Sequence, residues 1–226
     1  MRRISMVAPL ALLLAACASA PTVQAGPDAE VSHDGLTRVD NTAMQLVYVR
    51  VGADLSGYDK VMIRGAGVEF RPPAPGARDE FPVSEQNKAR FVEIMGEAFR
   101  EALSRSDAFE LVDEPGPDVL LVEGAALDVV SRVPPRTAGR QDIFLTEVGE
   151  VTLVLEVSDS RSEGTLVRAA DRRIAQDMTG NLQRSSSAQN WSEVRQLANL
   201  WSGQLRDGLE RLMEAGPIGS GPIGEG

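Results

Sequence analysis

The 226-residue chain contains one cysteine and one histidine. A lone thiol excludes a disulfide framework, and a lone imidazole leaves clustered zinc sites and Ser/His or Cys/His catalytic pairs without their parts. Basic side chains are scarce beside acidic ones, 23 against 33, so the formal net charge is −10. A chain so charged repels phosphate backbones and gains nothing from an anionic membrane surface, which excludes nucleic acid as a partner of the whole protein. Long apolar runs are also missing. The longest, Ile4 to Leu14, would rise only about 16 Å as a helix, roughly half the hydrocarbon thickness of a bilayer. What is present is 42% hydrophobic and 25% charged, the composition of a folded globular chain rather than a disordered, collagen-like or polytopic one.

Arg2 and Arg3 precede the run Ile4 to Leu14, which is the basic n-region and short h-region of a signal peptide. Directly after it stands Leu14-Ala15-Ala16-Cys17, and the only cysteine of the chain occupies its last position. This segment resembles the lipobox of bacterial lipoproteins. The resemblance implies cleavage before Cys17, acylation of that cysteine, and a membrane contact made by lipid, with several acyl chains giving stable anchoring where one would be marginal. Ala18, in place of an aspartate, implies sorting to the outer membrane, facing the periplasm.

The chain divides on composition. Residues 1–16 read as the lipoprotein signal peptide, and 17–43 as the lipidated cysteine followed by a flexible tether. That tether is rich in Ala, Pro, Thr, Gly and Asp and would reach about 25 to 30 Å. Residues 44–214 read as one globular domain. Residues 215–226 repeat Gly-Pro-Ile-Gly twice and read as a disordered tail with almost nothing to bury.

Within the domain, Leu46 and Tyr48 begin a short extended segment, and Lys60 to Arg71 reads as a strand interrupted at Gly65-Ala66-Gly67 by a bulge. Ser84 can cap a helix whose Phe91, Met95, Ala98, Phe99 and Ala102 share one face. Short and long strands follow at Phe109 to Val112 and Asp118 to Ser131, and alternation over Val151 to Val157 predicts a hairpin with Thr165 to Ala175. A capping box, Asn190 with Glu193, opens a last helix with the stripe Val194, Leu197, Trp201, Leu205, Gly208 and Leu212. The order β-α-β-β-β-β-α predicts a single-domain α/β sandwich, a largely antiparallel or mixed sheet with two helices packed on one face.

Three stretches, Leu46 to Arg50, Tyr58 to Ile63 and Val112 to Leu120 with its Pro115-Gly116-Pro117-Asp118, together with the later Asp171-Arg172-Arg173, resemble the DUF3313 family of bacterial lipoproteins in order and spacing. The resemblance implies a cell-envelope location and a compact α/β fold. It transfers no catalytic or binding residue.

Candidate chemistry is sparse. His33 falls in the expected tether, where no scaffold would orient it. Glu147, Glu150, Glu156 and Asp159 lie near one another in sequence, so a hydrolase built on paired carboxylates is the alternative enzymatic reading. The stretch from Arg132 to Leu145 is locally basic in an acidic protein, and Arg132, Arg136 and Arg140 are candidates for contact with an anion or partner, since guanidinium forks match phosphate and carboxylate. Trp191, near the start of the last helix, is a candidate partner anchor, whereas Trp201 reads as core. Asp171, Arg172 and Arg173 read as ion pairs on a solvated face. No cofactor or metal ligand set is recognisable. The expectation is a non-enzymatic, lipid-anchored envelope protein that binds another envelope component, protein or glycan, with the carboxylate hydrolase or a self-assembling structural lipoprotein as alternatives.

Overall fold

The computed structural model describes residues 19–76, 83–131, 144–145, 147–176, 183–184 and 187–224. Eleven strands and two helices occur among these residues in the order β1 (Thr22–Val23), β2 (Thr37–Asp40), β3 (Leu46–Val49), β4 (Lys60–Phe70), α1 (Glu85–Leu103), β5 (Glu110–Val112), β6 (Val119–Ser131), β7 (Phe144–Leu145), β8 (Glu147–Asp159), β9 (Thr165–Gln176), β10 (Gln183–Arg184), α2 (Ser187–Glu214) and β11 (Gly221–Pro222). Nine strands form one mixed sheet in the spatial order β11-β1-β2-β3-β9-β8-β6-β4-β5, and β7 pairs with β10. The expected α/β class, single domain and mixed sheet are what the structure has.

The middle of the sheet follows from strand chemistry. In β8, Val151, Leu153, Leu155 and Val157 are buried on one face, as period-two alternation requires. Five residues, 160–164, then turn the chain into antiparallel β9, where Leu155 pairs with Ala169 and Val157 with Val167. The parallel part arises differently. β4 lies parallel to both β5 and β6, which demands a crossover, and α1 supplies it. Ser84 caps that helix by accepting a hydrogen bond from the Asn87 N–H at 3.3 Å, and Phe91, Ile94, Ala98, Phe99, Ala102 and Leu103 are its buried residues.

The expected interruption of β4 is present. The register against β6 shifts between Gly65 and Gly67, and Gly67 has φ +127°, a conformation that side chains disfavour. In β3, Val49 is buried and Val47 packs on the core, while Leu46 is exposed. That parity is opposite to the one Leu46 and Tyr48 suggest. Helix α2 begins at Ser187, three residues ahead of the proposed Asn190 cap. Its stripe is as expected, with Trp201, Leu205 and Leu212 buried, and is widened by Ala198, Leu209 and Met213.

Two segments depart from the domain boundaries read from composition. Residues 22–40, expected as tether, contribute β1 and β2, and Val23, Leu36 and Val39 are fully buried. Residues 217–224, expected as part of the disordered tail 215–226, dock as well. Ile218 is 4% exposed, its N–H donates to the Ala53 carbonyl at 2.7 Å, and its carbonyl accepts from Gly52 N–H at 2.8 Å. β11 then closes on β1, and Ile223 N–H donates to the Pro21 carbonyl at 2.9 Å. The physical reason is shared. A few well-placed apolar residues and sheet-edge hydrogen bonds offset ordering entropy where average composition suggests they would not.

Candidate functional site

Both helices cover the same face of the sheet, and two cavities lie beneath them. The larger of them, about 490 Å³, is a half-open cleft between α1 and strands β4, β6 and β8, with Met95 and Phe99 above and Val122, Ala126, Leu153 and Leu155 below. Glycines make room for it. A Cβ added at Gly65, Gly67 or Gly96 would meet nothing within 4 Å. Glu93, Glu97 and Arg100 from α1 also line it, and Val92 at its edge is 51% exposed. The second cavity, about 350 Å³, lies between α2 and strands β2, β3, β8 and β9. Leu155 lines both. Each volume falls in the range of about 300–1,000 Å³ usual for small-molecule sites.

Asp171 is the most deeply buried charged side chain among the described residues. Its place in β9 follows the parity of Val167 and Ala169 toward the helices, so it points at α2 rather than to solvent, and it is 1% exposed. The expectation of a solvated ion pair there is corrected. One carboxylate oxygen accepts from Trp201 Nε1–H at 2.7 Å and from Arg173 Nε–H at 2.6 Å, and the other accepts from Gln45 N–H at 3.1 Å. A buried carboxylate with these donors is a packing device that fixes α2 on the sheet. Arg172, one residue on, points to the opposite face and pairs with Glu150.

That opposite face carries a polar ladder. Arg168 holds Asp34 through two hydrogen bonds of 3.0 and 2.7 Å and also reaches Glu156 at 3.4 Å. The Arg168 guanidinium, aided by the Ser32 hydroxyl, holds the Asp34 carboxyl well below the usual carboxylate range. Arg64 donates to Glu123 at 2.8 Å on the strand pair beside it.

Two of the stretches that carry the family resemblance, Tyr58 to Ile63 and Val112 to Leu120, meet at one end of the sheet. Tyr58 hydroxyl donates to Asp159 at 3.1 Å, and Lys60 pairs with Asp118. Ser160 grips Gly116 twice, accepting from its N–H at 3.1 Å and donating to its carbonyl at 3.0 Å. Backbone N–H donors of the 160–164 turn, Ser162 first, hold Asp159 below its ordinary pKa, and burial pushes Tyr58 upward. These motifs therefore lock the entry into β4, β6 and the β8–β9 turn.

Of the residues singled out in the sequence, Cys17, Arg132, Arg136 and Arg140 lie outside the described residues. Trp191 does not serve as an exposed anchor. It is 7% exposed, packs in the core, and has the Arg90 guanidinium of α1 4.7 Å from its ring centroid. The reason is its position, where α2 crosses α1 and an indole fills the gap. His33 is solvent-facing, 4.0 Å from Asp34. Both cavities were missed in the sequence. Around the larger one the fold brings together Gly65, Gly67 and Gly96, which leave open space under a helix and stand up to 31 positions apart in the sequence.

The chain belongs to a family described as a protein of unknown function (DUF3313), whose model matches residues 29–205. No curated protein matches it. Among solved structures it is similar to the PelC dodecamer of Paraburkholderia phytofirmans, at 13% identity and a TM-score of 0.32 over 68% of this chain and 96% of that one. It is also similar to a Helicobacter pylori protein described as a homolog of the neuraminyllactose-binding hemagglutinin, at 10% identity and a TM-score of 0.35 over 71% and 87%. Scores and identities this low carry no functional inference.

Proposed function

We propose that this protein is a lipid-anchored lipoprotein of the bacterial cell envelope, held at the outer membrane by Cys17 and facing the periplasm. In this reading it is non-catalytic and binds another envelope component in envelope assembly, integrity or transport. The observation that carries the binding role is the cavity of about 490 Å³ under α1. Its walls are apolar and its edge carries Glu93, Glu97 and Arg100, a combination that suits an amphipathic group with an apolar part inside and a polar part at the mouth. Arg132, Arg136 and Arg140 add a local basic segment suited to an anionic group on the same partner.

Two of the carboxylates that raised the hydrolase alternative, Glu150 and Glu156, support a non-catalytic reading as a pair. Glu150 and Glu156 are six residues apart on one strand, roughly 20 Å, beyond the separation of paired acids in glycoside hydrolysis, about 5 to 9.5 Å. Each is engaged by an arginine, Arg172 or Arg168.

Two measurements test the reading. Wild-type protein is expected in the membrane fraction with palmitate incorporated, and Cys17→Ser protein in the soluble fraction without it; a Cys17→Ser protein that remains labelled would refute the anchor. A photocrosslinking residue at Val92 should capture an envelope component from intact cells, and Gly96→Leu, which fills the cavity, should abolish that capture. Identical capture by the filled variant refutes the cavity as the binding site.

A further inference from the structure

The second cavity has a feature the first lacks: its wall includes Ser19 and Pro21, the N-terminal end of the described chain. Cys17 stands two positions before Ser19, with only Ala18 between them, so the cysteine is at most about 7 Å of chain from the cavity wall. The cavity floor is aliphatic, with Val47, Val49 and Ala169 among its residues, and α2 roofs it with Leu205, Leu209 and Leu212. Gly208 sits in that roof with nothing within 4 Å of where its Cβ would be. The Gln204 amide oxygen, from a residue of the same wall, is buried with no hydrogen-bond partner among the described residues.

We propose that this cavity takes one of the acyl chains carried by Cys17, so that the protein holds a hydrocarbon tail of its own anchor between α2 and strands β3 and β9. The inference rests on the acylation proposed above. An apolar cavity of about 350 Å³ suits a flexible alkyl chain. Covalent attachment two residues away raises the local concentration of that chain far above what free lipid offers. The unpaired Gln204 oxygen gives the amide N–H of an N-acylated terminus an acceptor. Because several chains share the anchor, one can leave the bilayer while the others hold the protein there.

The test uses the full chain, expressed from its own signal in bacteria fed a palmitate with a photoactivatable group in the alkyl chain. Membranes are irradiated, the protein is purified and digested, and cross-linked peptides are identified by mass spectrometry. The expected product joins the Cys17 peptide to peptides of α2 containing residues 205–212 or to β3 and β9. Gly208→Leu and Ala169→Leu, which place bulk in the roof and floor, should keep wild-type palmitate incorporation and lower this product at least tenfold; circular dichroism identifies whichever variant folds as wild type. Incorporation at Cys17 with no intramolecular product overturns the cavity proposal and leaves the anchor standing. The cavity cross-linked to membrane phospholipid in place of the Cys17 peptide also overturns it. A protein that takes up no palmitate removes both the anchor and the proposal built on it.

Discussion

Asp171 offers the sharpest test of how the two layers are joined. Its side chain is buried, and it receives donors from Trp201, Arg173 and Gln45. Replacing it with alanine removes the charge and leaves the Trp201 N–H, in a residue 0% exposed, without an acceptor. Breaking a buried charged pair costs about 3–5 kcal/mol, and the Arg173 part is discounted because that side chain is 38% exposed and regains water. The discounted cost is about 2–4 kcal/mol, and for a domain of this size each kcal/mol shifts Tm by about 2–4 °C, so Asp171→Ala should lower Tm by roughly 4 to 16 °C. Asp171→Asn keeps an oxygen for one donor and should fall between the variant and wild type. Thermal melts followed by tryptophan fluorescence and far-ultraviolet circular dichroism give both values. Trp201→Phe, which deletes the N–H and keeps most of the packing, should cost less in the Asp171→Ala background than in wild type, with a coupling of about 1–3 kcal/mol. A cooperative Asp171→Ala melt within about 2 °C of wild type, or additive costs in the double variant, would refute the role of the carboxylate in seating α2.

Further expectations concern the sheet and its ends. Ile218→Ala should cost about 2–4 kcal/mol, and deletion of residues 217–226 at least as much, a Tm lowered by about 4 °C or more, because Ile218 is 4% exposed and bridges to Gly52 and Ala53; a deletion with unchanged Tm would show the segment undocked. Asp34 is held below its ordinary pKa by Arg168. Its contribution is therefore fully present above the usual carboxylate range and is lost as pH falls through the lower folded value. The urea midpoint of wild type should exceed that of Asp34→Asn near neutral pH and converge with it toward about pH 2, and parallel curves would contradict the pairing. In β4, Gly67→Ala should destabilise by about 1 kcal/mol or more from backbone strain at φ +127°, whereas Gly65→Ala, with no positive φ and open space at its Cβ, should be nearly neutral or stabilising.

The sequence was most legible where one periodicity ran long enough to dominate. The alternation in Val151 to Val157 located β8 and its hairpin, and the 3.6-residue stripe through Trp201 located α2. It was least legible where a few residues act through distant partners. Residues 22–40 carry no periodic signal because β1 and β2 are two and four residues long, too short for alternation to show. Ile218 docks through hydrogen bonds to Gly52 and Ala53, partners over 160 residues away in sequence. Asp171 was misread because a charged triplet looks solvated by composition. Its parity with Val167 and Ala169 was the available signal, and it points to the helix face. Trp191 failed as an anchor for a related reason, since Arg90 and the α1 surface that cover it come from an element a hundred residues earlier.

Docking of residues 22–40 and 217–224 changes what the proposed anchor would do. A flexible tether of about 25 to 30 Å would let the domain sample many orientations. With β1 held between β11 and β2, the ordered body instead begins within about 7 Å of chain from Cys17. Along the sheet, β1 stands six strands from β4, roughly 29 Å at about 4.8 Å per strand. The α1 cavity, built on β4, β6 and β8, therefore lies toward the far side of the sheet from the anchored edge. A partner in the α1 cavity and an acyl chain in the α2 cavity would not compete for space, yet both would press on Leu155, which lines the two cavities. Leu155 lies opposite Gly124 of β6, where an added Cβ would stand 3.3 Å from its Cδ2. Gly124→Ala would push that side chain by a few tenths of an ångström. If the cavities communicate through Leu155, Gly124→Ala should weaken capture at Val92 and change the yield of the Cys17–α2 cross-link in the same protein; a change in one without the other would show them to be independent.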